Sequence, residues 1–302
     1  MFDTVRLKAT GIMNFPIDRF ENVERKVYLC DSSETLLSVY FIKGINKLPF
    51  IKYQENDNSL EIEVSIPKYL YGENVTLLKQ NDIDVFFTQL SEQLYSLCKV
   101  NIDKSEWRAK RIDVCWNFQV GNKLTDHMKQ LSLKKIPRMN TVTYNQVETV
   151  ISQNKSKRIQ FYDKEKECRD KKCSPEVIGR AWGLIRMEIS PPDYEMKEYS
   201  TSRQAEKLLT KEFFMFVTRK IIPHLVFQIV NEHGITSNWI MSHSINKIET
   251  LIGFCELMQV YGMGGIRGFY KESTLDNRMK LVDILKNNPC LPNLDIDYSL
   301  IG

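Results

Sequence analysis

Alternation of apolar and polar residues recurs through the first two-thirds of the chain and predicts a series of strands. Phe2–Thr10 alternates in this way, Arg25–Ile42 predicts two strands with a turn near Asp31–Glu34, and Pro49–Gln54 predicts another. Leu60–Ile66 is the clearest early strand. Leu60, Ile62, Val64 and Ile66 share one face, Glu61, Glu63 and Ser65 take the other, and Pro67 ends it. Helical spacing takes over in Asp82–Val100, where Phe86, Leu90, Leu94 and Cys98 form one stripe behind a cap at Asn81 or Asp82. A shorter helix is predicted around Thr125–Leu133.

Three later strands divide their faces between core and charge. In Arg111–Phe118, Ile112, Val114, Trp116 and Phe118 are apolar, while Arg111, Asp113, Cys115 and Asn117 lie opposite. Val147–Glu167 reads as a hairpin with arms Val147–Ser152 and Arg158–Lys164 around a polar loop, Gln153–Lys157. Its second arm directs Ile159 and Phe161 one way and Arg158, Gln160, Tyr162 and Lys164 the other. In Leu184–Ser190, Arg186 and Glu188 alternate with Ile185, Met187 and Ile189, and Pro191-Pro192 ends the strand. In one sheet these strands would gather Tyr162, Lys164, Asp113, Glu188, Arg111 and Arg186 on a single surface. A nucleophile, two carboxylates and several cations suit metal-assisted attack on a phosphodiester.

Asp163–Arg180 is dense in charge, carries Pro175 and is expected to be an irregular link. From Ser202 the pattern turns helical, with helices over Arg203–Phe216, Ile222–Glu232, Ser244–Tyr261 and Thr274–Lys286. The expected fold class is α+β: a mostly antiparallel central sheet with helices on one face over residues 1–198, then an α-helical region over 199–302. The stretch Gly262–Gly268, GMGGIRG, is longer than the ~3–4-residue turn of a helix-turn-helix and lacks the GK[ST] of a phosphate loop. It is expected to connect two helices flexibly.

Composition narrows the partners only slightly. Lysine and arginine total 42 against 38 acidic residues, a net charge of +4, so contact with nucleic acid must come from local basic surface. Candidates are Lys104–Arg111, Lys155–Arg158 and Lys164–Lys172. Seven scattered cysteines without a CxxC pair point to free thiols in a reducing cytoplasm. Neither a charged-then-apolar leader nor an apolar run of membrane-spanning length is evident. The four histidines include no His-x-His pair, and His127 is expected at the surface.

The opening FDTVRLK, then LEIEVSIPKYLYGENV, RIDVCWNF, the hairpin ending FYDKEKE, and GLIRMEIS together resemble the gene II/gene X replication initiators of filamentous phages and related plasmids. The resemblance implies a cytoplasmic enzyme of the host cell that nicks one strand of an origin and stays joined to the new 5′ end through a tyrosine. By that resemblance Tyr162 is the nucleophile and Lys164 its helper. Single-stranded or locally melted origin DNA, the host polymerase and helicase, and a second copy of the chain are the implied partners.

Free tyrosine has a pKa near 10, so its phenolate at pH 7 costs about 4 kcal/mol. A cation at Lys164 would offset part of this, and a divalent metal, Mg²⁺ or Mn²⁺, held by Asp113, Glu188 and Glu148 would polarise the phosphate. Arg158 and Lys155 are expected phosphate contacts, and Arg111 and Arg186 either hold a phosphate oxygen or pair with Asp113 and Glu188 to stabilise the sheet. Tyr144, Trp107 and Trp182 are candidates to stack on bases, with core packing favoured for Trp182. Three other readings fit the same residues: a mobilisation relaxase of like chemistry, a non-catalytic single-strand binder, and a hydrolytic nuclease that does not need Tyr162.

Overall fold

A computed structural model describes residues 1–29, 36–45, 47–134, 136–225, 243–286 and 291–301. Its frame is one antiparallel sheet of ten strands in the order β2-β3-β4-β5-β1-β6-β10-β9-β8-β7. The first five strands are β1 (Phe2–Ala9), β2 (Val23–Leu29), β3 (Leu36–Ile45), β4 (Leu48–Gln54) and β5 (Ser59–Ser65). The others are β6 (Arg108–Gln119), β7 (Asn140–Tyr144), β8 (Thr149–Gln153), β9 (Arg158–Asp163) and β10 (Leu184–Ser190). The turn expected near Asp31–Glu34 lies outside the described residues.

Ten α-helices accompany the sheet among the described residues: α1 (Ile66–Tyr71), α2 (Gln80–Cys98), α3 (Leu124–Leu133), α4 (Lys164–Asp170), α5 (Pro175–Ala181), α6 (Asp193–Tyr199), α7 (Ala205–Leu208), α8 (Lys211–Arg219), α9 (Ile245–Ile266) and α10 (Glu272–Lys286). The fold is α+β, as the alternation predicts.

One face of the sheet is apolar and covered. Phe86 and Leu90 of α2, Met128 and Leu131 of α3, and Phe213, Phe214 and Val217 of α8 join one core with Leu7, Ile112, Trp116 and Met187. Phe214 is central, its ring centroid 5.9 Å from Trp116 and 6.4 Å from Phe2. The segment from Leu291 to Ile301 returns to this core, where the Tyr298 hydroxyl lies 2.9 Å from Thr218 Oγ1. By contrast, α9 and α10 bury Leu251, Phe254, Leu275 and Val282 in a cluster of their own. Among the described residues no helix is long and apolar enough to cross a membrane.

Pro67 follows the end of β5, as expected, and also sits in the first turn of α1, where no N–H donor is needed. Other local expectations are corrected. The cap of α2 is Lys79, and the Asp82 carboxylate reaches back to its backbone N–H at 2.6 Å. The stretch Asp163–Arg180 is helical. Asp163 caps α4, Glu165–Arg169 and Glu167–Lys171 pair one turn apart, and Ser174 with Pro175 opens α5. The glycine-rich stretch is mostly absorbed into α9, interrupted at Gly262 (φ +63°), and the actual connection to α10 is Arg267–Lys271. His127 is fully buried, its two ring nitrogens 3.0 Å from the Lys123 carbonyl and 3.1 Å from that of Pro292.

Phe214→Ala should remove about 3–5 kcal/mol of unfolding free energy, since the vacated space lies between rigid rings. Urea denaturation followed by tryptophan fluorescence measures this through Trp116.

Candidate active site

Strand register assembles the site. Arg186 of β10 stands directly opposite Tyr162 on β9 and Asn117 on β6, while Glu188 stands opposite Gln160 and Cys115. The three strands singled out by their divided faces are thus neighbours, and their polar residues share one surface. Gly183 leads into β10 at φ +66°, where a Cβ would lie 2.5 Å from Gly121 Cα. Only glycine allows that approach, which holds the start of β10 against the end of β6.

Arg186 is fully buried. Its Nη2 donates to Asp3 Oδ2 at 2.9 Å and approaches Cys115 Sγ at 3.1 Å. Nη1 donates to the Asn74 carbonyl at 2.8 Å and to Asn117 Oδ1 at 3.2 Å, and Nε to Glu188 Oε1 at 3.1 Å. Every nitrogen of the guanidinium is therefore engaged, as a charge removed from water requires. Burial by itself raises Asp3. Arg186 and the Ser65 hydroxyl at 2.5 Å outweigh it and hold this carboxyl at about 2.

The Tyr162 phenol donates to Glu188 Oε1 at 2.7 Å. Its ring is only 6 % exposed but faces the polar cluster, and with Glu188 it lines a cleft of about 480 Å³. Burial raises the phenol well above its ordinary value, with Arg186 opposing and Glu188 adding to the rise. Burial also raises Glu188, again against Arg186. A phenol that resists ionising thus donates to a carboxylate of more than ordinary basicity.

Lys164 reaches Tyr162 from an unexpected direction. It is the first residue of α4, not the next position on the strand face, because Asp163 turns the chain into the helix. Its Nζ lies 5.7 Å from the Tyr162 ring centroid and donates to Asn74 Oδ1 at 2.9 Å and Glu167 Oε2 at 2.5 Å. Burial first, then Arg186, lowers Lys164 below the ordinary lysine value, while Glu167 opposes the fall.

The remaining carboxylates are engaged by cations. Arg111 holds Asp113 through two bonds of 3.0 and 2.6 Å, and the Ser190 hydroxyl donates to Asp113 at 2.6 Å. Glu148 sits just before β8, its carbonyl accepting from Asp163 N–H at 3.1 Å across the hairpin, and it pairs with Lys166 at 2.6 Å. Asp113, Glu188 and Glu148 all line the cleft but do not converge on a point. Among the described residues no group of three His, Cys, Asp or Glu side chains is placed to hold a metal ion. As arranged, these carboxylates form a network with the neighbouring guanidinium and ammonium groups.

Arg111 lines the cleft, whereas Arg186 lies beneath it as an internal brace. Arg158 donates to Gln160 Oε1 at 2.6 Å and reaches the cleft only through that residue; Lys155 lies in the hairpin loop at the far end of β9 from Tyr162. Among the aromatic candidates, Trp107 is buried in the core, while Trp182 is 56 % exposed, the reverse of the expected roles. Tyr144 is exposed and stands in the same cross-strand row as Thr149 and Tyr162. Cys98, Cys115, Cys168, Cys173 and Cys255 are free thiols. Sequence reasoning missed Asp3 and Asn74, although FDTVRLK and LEIEVSIPKYLYGENV both lie in the stretches that carry the resemblance. Glu167 also belongs to the site, and its spacing of three from Lys164 on a helix was the available signal.

Residues 19–206 match the family model for the N-terminal part of the phage replication-associated protein encoded by gene II. The chain belongs to this family of phage replication proteins. A search of curated proteins finds no match. The matched stretch contains Asp113, Tyr162, Lys164, Arg186 and Glu188, whereas β1 with Asp3 lies before it.

Asp3→Asn in this phage replication protein should destabilise it by about 3–5 kcal/mol, because Arg186 would lose its deepest counter-charge. With Asp3 at about 2 when folded, its roughly 2–3 kcal/mol contribution is present above the unfolded carboxyl value near pH 4 and is lost as pH falls toward 2. Urea unfolding curves of both proteins between pH 7 and pH 3 check the two statements.

Proposed function

We propose that the protein starts rolling-circle replication as a site-specific DNA nicking and joining enzyme, with Tyr162 as nucleophile and a covalent 5′-phosphotyrosine intermediate. The observation that carries the reading is the Tyr162–Glu188 hydrogen bond of 2.7 Å at the wall of a polar cleft, in a chain of a phage replication family. A phenol so far from ionising needs a base at the moment of attack, and Glu188 is already in contact with its proton.

Attack runs as one displacement. The Tyr162 oxygen bonds to the scissile phosphorus as its proton passes to Glu188 Oε1. The bond from phosphorus to the 3′-oxygen breaks, and that oxygen leaves as a hydroxyl with a proton from water in the open cleft. Lys164 and Arg186 hold positive charge beside the forming ester, and Arg111 at the rim is placed for a phosphate oxygen. Joining is the reverse: an incoming 3′-hydroxyl attacks the phosphotyrosine and Glu188 returns the proton. The reading keeps Mg²⁺ or Mn²⁺ as an ion that arrives with the phosphate, so no step here runs through it. Origin DNA opened to a single strand is the substrate in this reading, because the phosphate must reach a phenol that is only 6 % exposed.

A labelled origin oligonucleotide, incubated with the protein and Mn²⁺, should yield a protein–DNA adduct that survives denaturation. Tyr162→Phe should abolish it. Glu188→Gln should slow it by ~10²–10⁴-fold, the range for a positioned base, with the protein still folded. The rate for the unaltered protein should rise with pH through the Glu188 titration, on the alkaline side of an ordinary glutamate, and Glu188→Gln should flatten that limb. Cleavage with free 5′-phosphate ends by Tyr162→Phe would instead indicate a hydrolytic nuclease, and binding without cleavage a single-strand binder.

A further inference from the structure

Beyond the cleft, the uncovered face of the sheet carries two adjacent cross-strand rows. The first runs Arg111 (β6), Arg6 (β1), Glu63 (β5), Phe50 (β4) and Lys43 (β3), each directly opposite the next. The second runs Arg108 (β6), Lys8 (β1), Glu61 (β5), Lys52 (β4), Phe41 (β3) and Glu24 (β2). The two rows thus hold six cations and three carboxylates, and two further carboxylates beside them, Asp113 and Asp57, pair with Arg111 and Lys8.

Two features of these rows are unfavourable for the fold alone. Arg6 opposite Arg111 and Lys8 opposite Arg108 place like charges directly across the β1–β6 pair, an arrangement that destabilises a sheet. Glu63 and Glu61 relieve Arg6, and Asp57 relieves Lys8, but Arg108 and Lys52 have no ion pair among the described residues. At the far end Phe41 and Phe50 lie half-buried on this polar face, ring centroids 6.1 Å apart, with Lys26 Nζ 5.3 Å from the Phe41 ring. β3 is four strands from β6, roughly 19 Å at the usual ~4.8 Å spacing. Arg111 belongs both to the first row and to the rim of the cleft.

We infer that this face is a track for single-stranded DNA that leads away from the cleft. Phosphates would lie along the Arg111–Arg6 and Arg108–Lys8 pairs and on past Lys52 and Lys43, and bases would stack on Phe41 and Phe50. Cations alone would suit any polyanion. Paired aromatic rings at the end of a cationic strip are what distinguishes an unpaired strand, whose bases are free to stack. The inference rests on the reading above that the cleft takes a DNA strand.

Fluorescence anisotropy with a labelled mixed-sequence oligonucleotide and the Tyr162→Phe protein measures binding without adduct formation. Phe41→Ala with Phe50→Ala should weaken binding about tenfold or more. Lys43→Gln and Lys52→Gln, both conservative changes on an open face, should each lower the slope of log affinity against log salt by about 0.7. With Tyr162 restored, adduct formation on a short oligonucleotide spanning only the nick should stay unchanged in all these variants. Unchanged affinity and salt slope would overturn the track, as would an equal loss of affinity for duplex DNA or heparin. The two readouts separate the proposals: absence of adduct counts against Tyr162, and unaltered binding counts against the track.

Discussion

A guanidinium with no access to water sets the terms for this molecule. Arg186 can be buried only if each nitrogen finds an acceptor, and those acceptors come from β1, β6, β10 and the segment after α1. Satisfying one side chain therefore fixes four parts of the chain relative to one another. It also fixes Glu188, whose Oε1 receives Arg186 on one side and the Tyr162 phenol on the other. The buried charge is costly in isolation, and its consequence is a phenol, a carboxylate and an ammonium held in one geometry.

The sheet supplies the platform for that network. One face is sealed by α2, α3 and α8, so the charged residues have only the other face to occupy. There α4 and α5 lie over the β9–β10 end, and their small apolar cluster of Val75, Cys168, Ala181 and Leu184 anchors them. The cleft opens where this cover stops. Glu167 comes to it from the cover with Lys164 buried behind it, and Tyr162 and Glu188 come from the sheet, so movement of α4 would alter the surroundings of the nucleophile directly.

Alternation alone makes most of this legible. Leu184–Ser190 is a strand over the expected residues, and the faces of RIDVCWNF divide as their sequence says, because each side of the sheet has a distinct environment. Alternation failed where another interaction took over. Lys164 looked like the next strand position, but Asp163 is a good helix cap and the glutamates that follow find basic partners a turn away. Asp3 was hidden because a bulge lies between Phe2 and Val5, so both of those residues reach the core although they are three apart. Trp107 and Trp182 exchanged expected roles since composition cannot say which ring is buried in the core and which faces solvent. Nor could spacing reveal that Glu188 stands against the phenol, which follows from its diagonal position across β9 and β10.

Trypsin should release Tyr162 within Ile159–Lys164, so peptide mass spectrometry of nuclease-trimmed adduct can locate the bond to DNA. The account predicts a residual nucleotide on that peptide, fragmenting to place it at Tyr162. A nucleotide on Tyr144 or any other residue, with Ile159–Lys164 recovered unmodified, would contradict it.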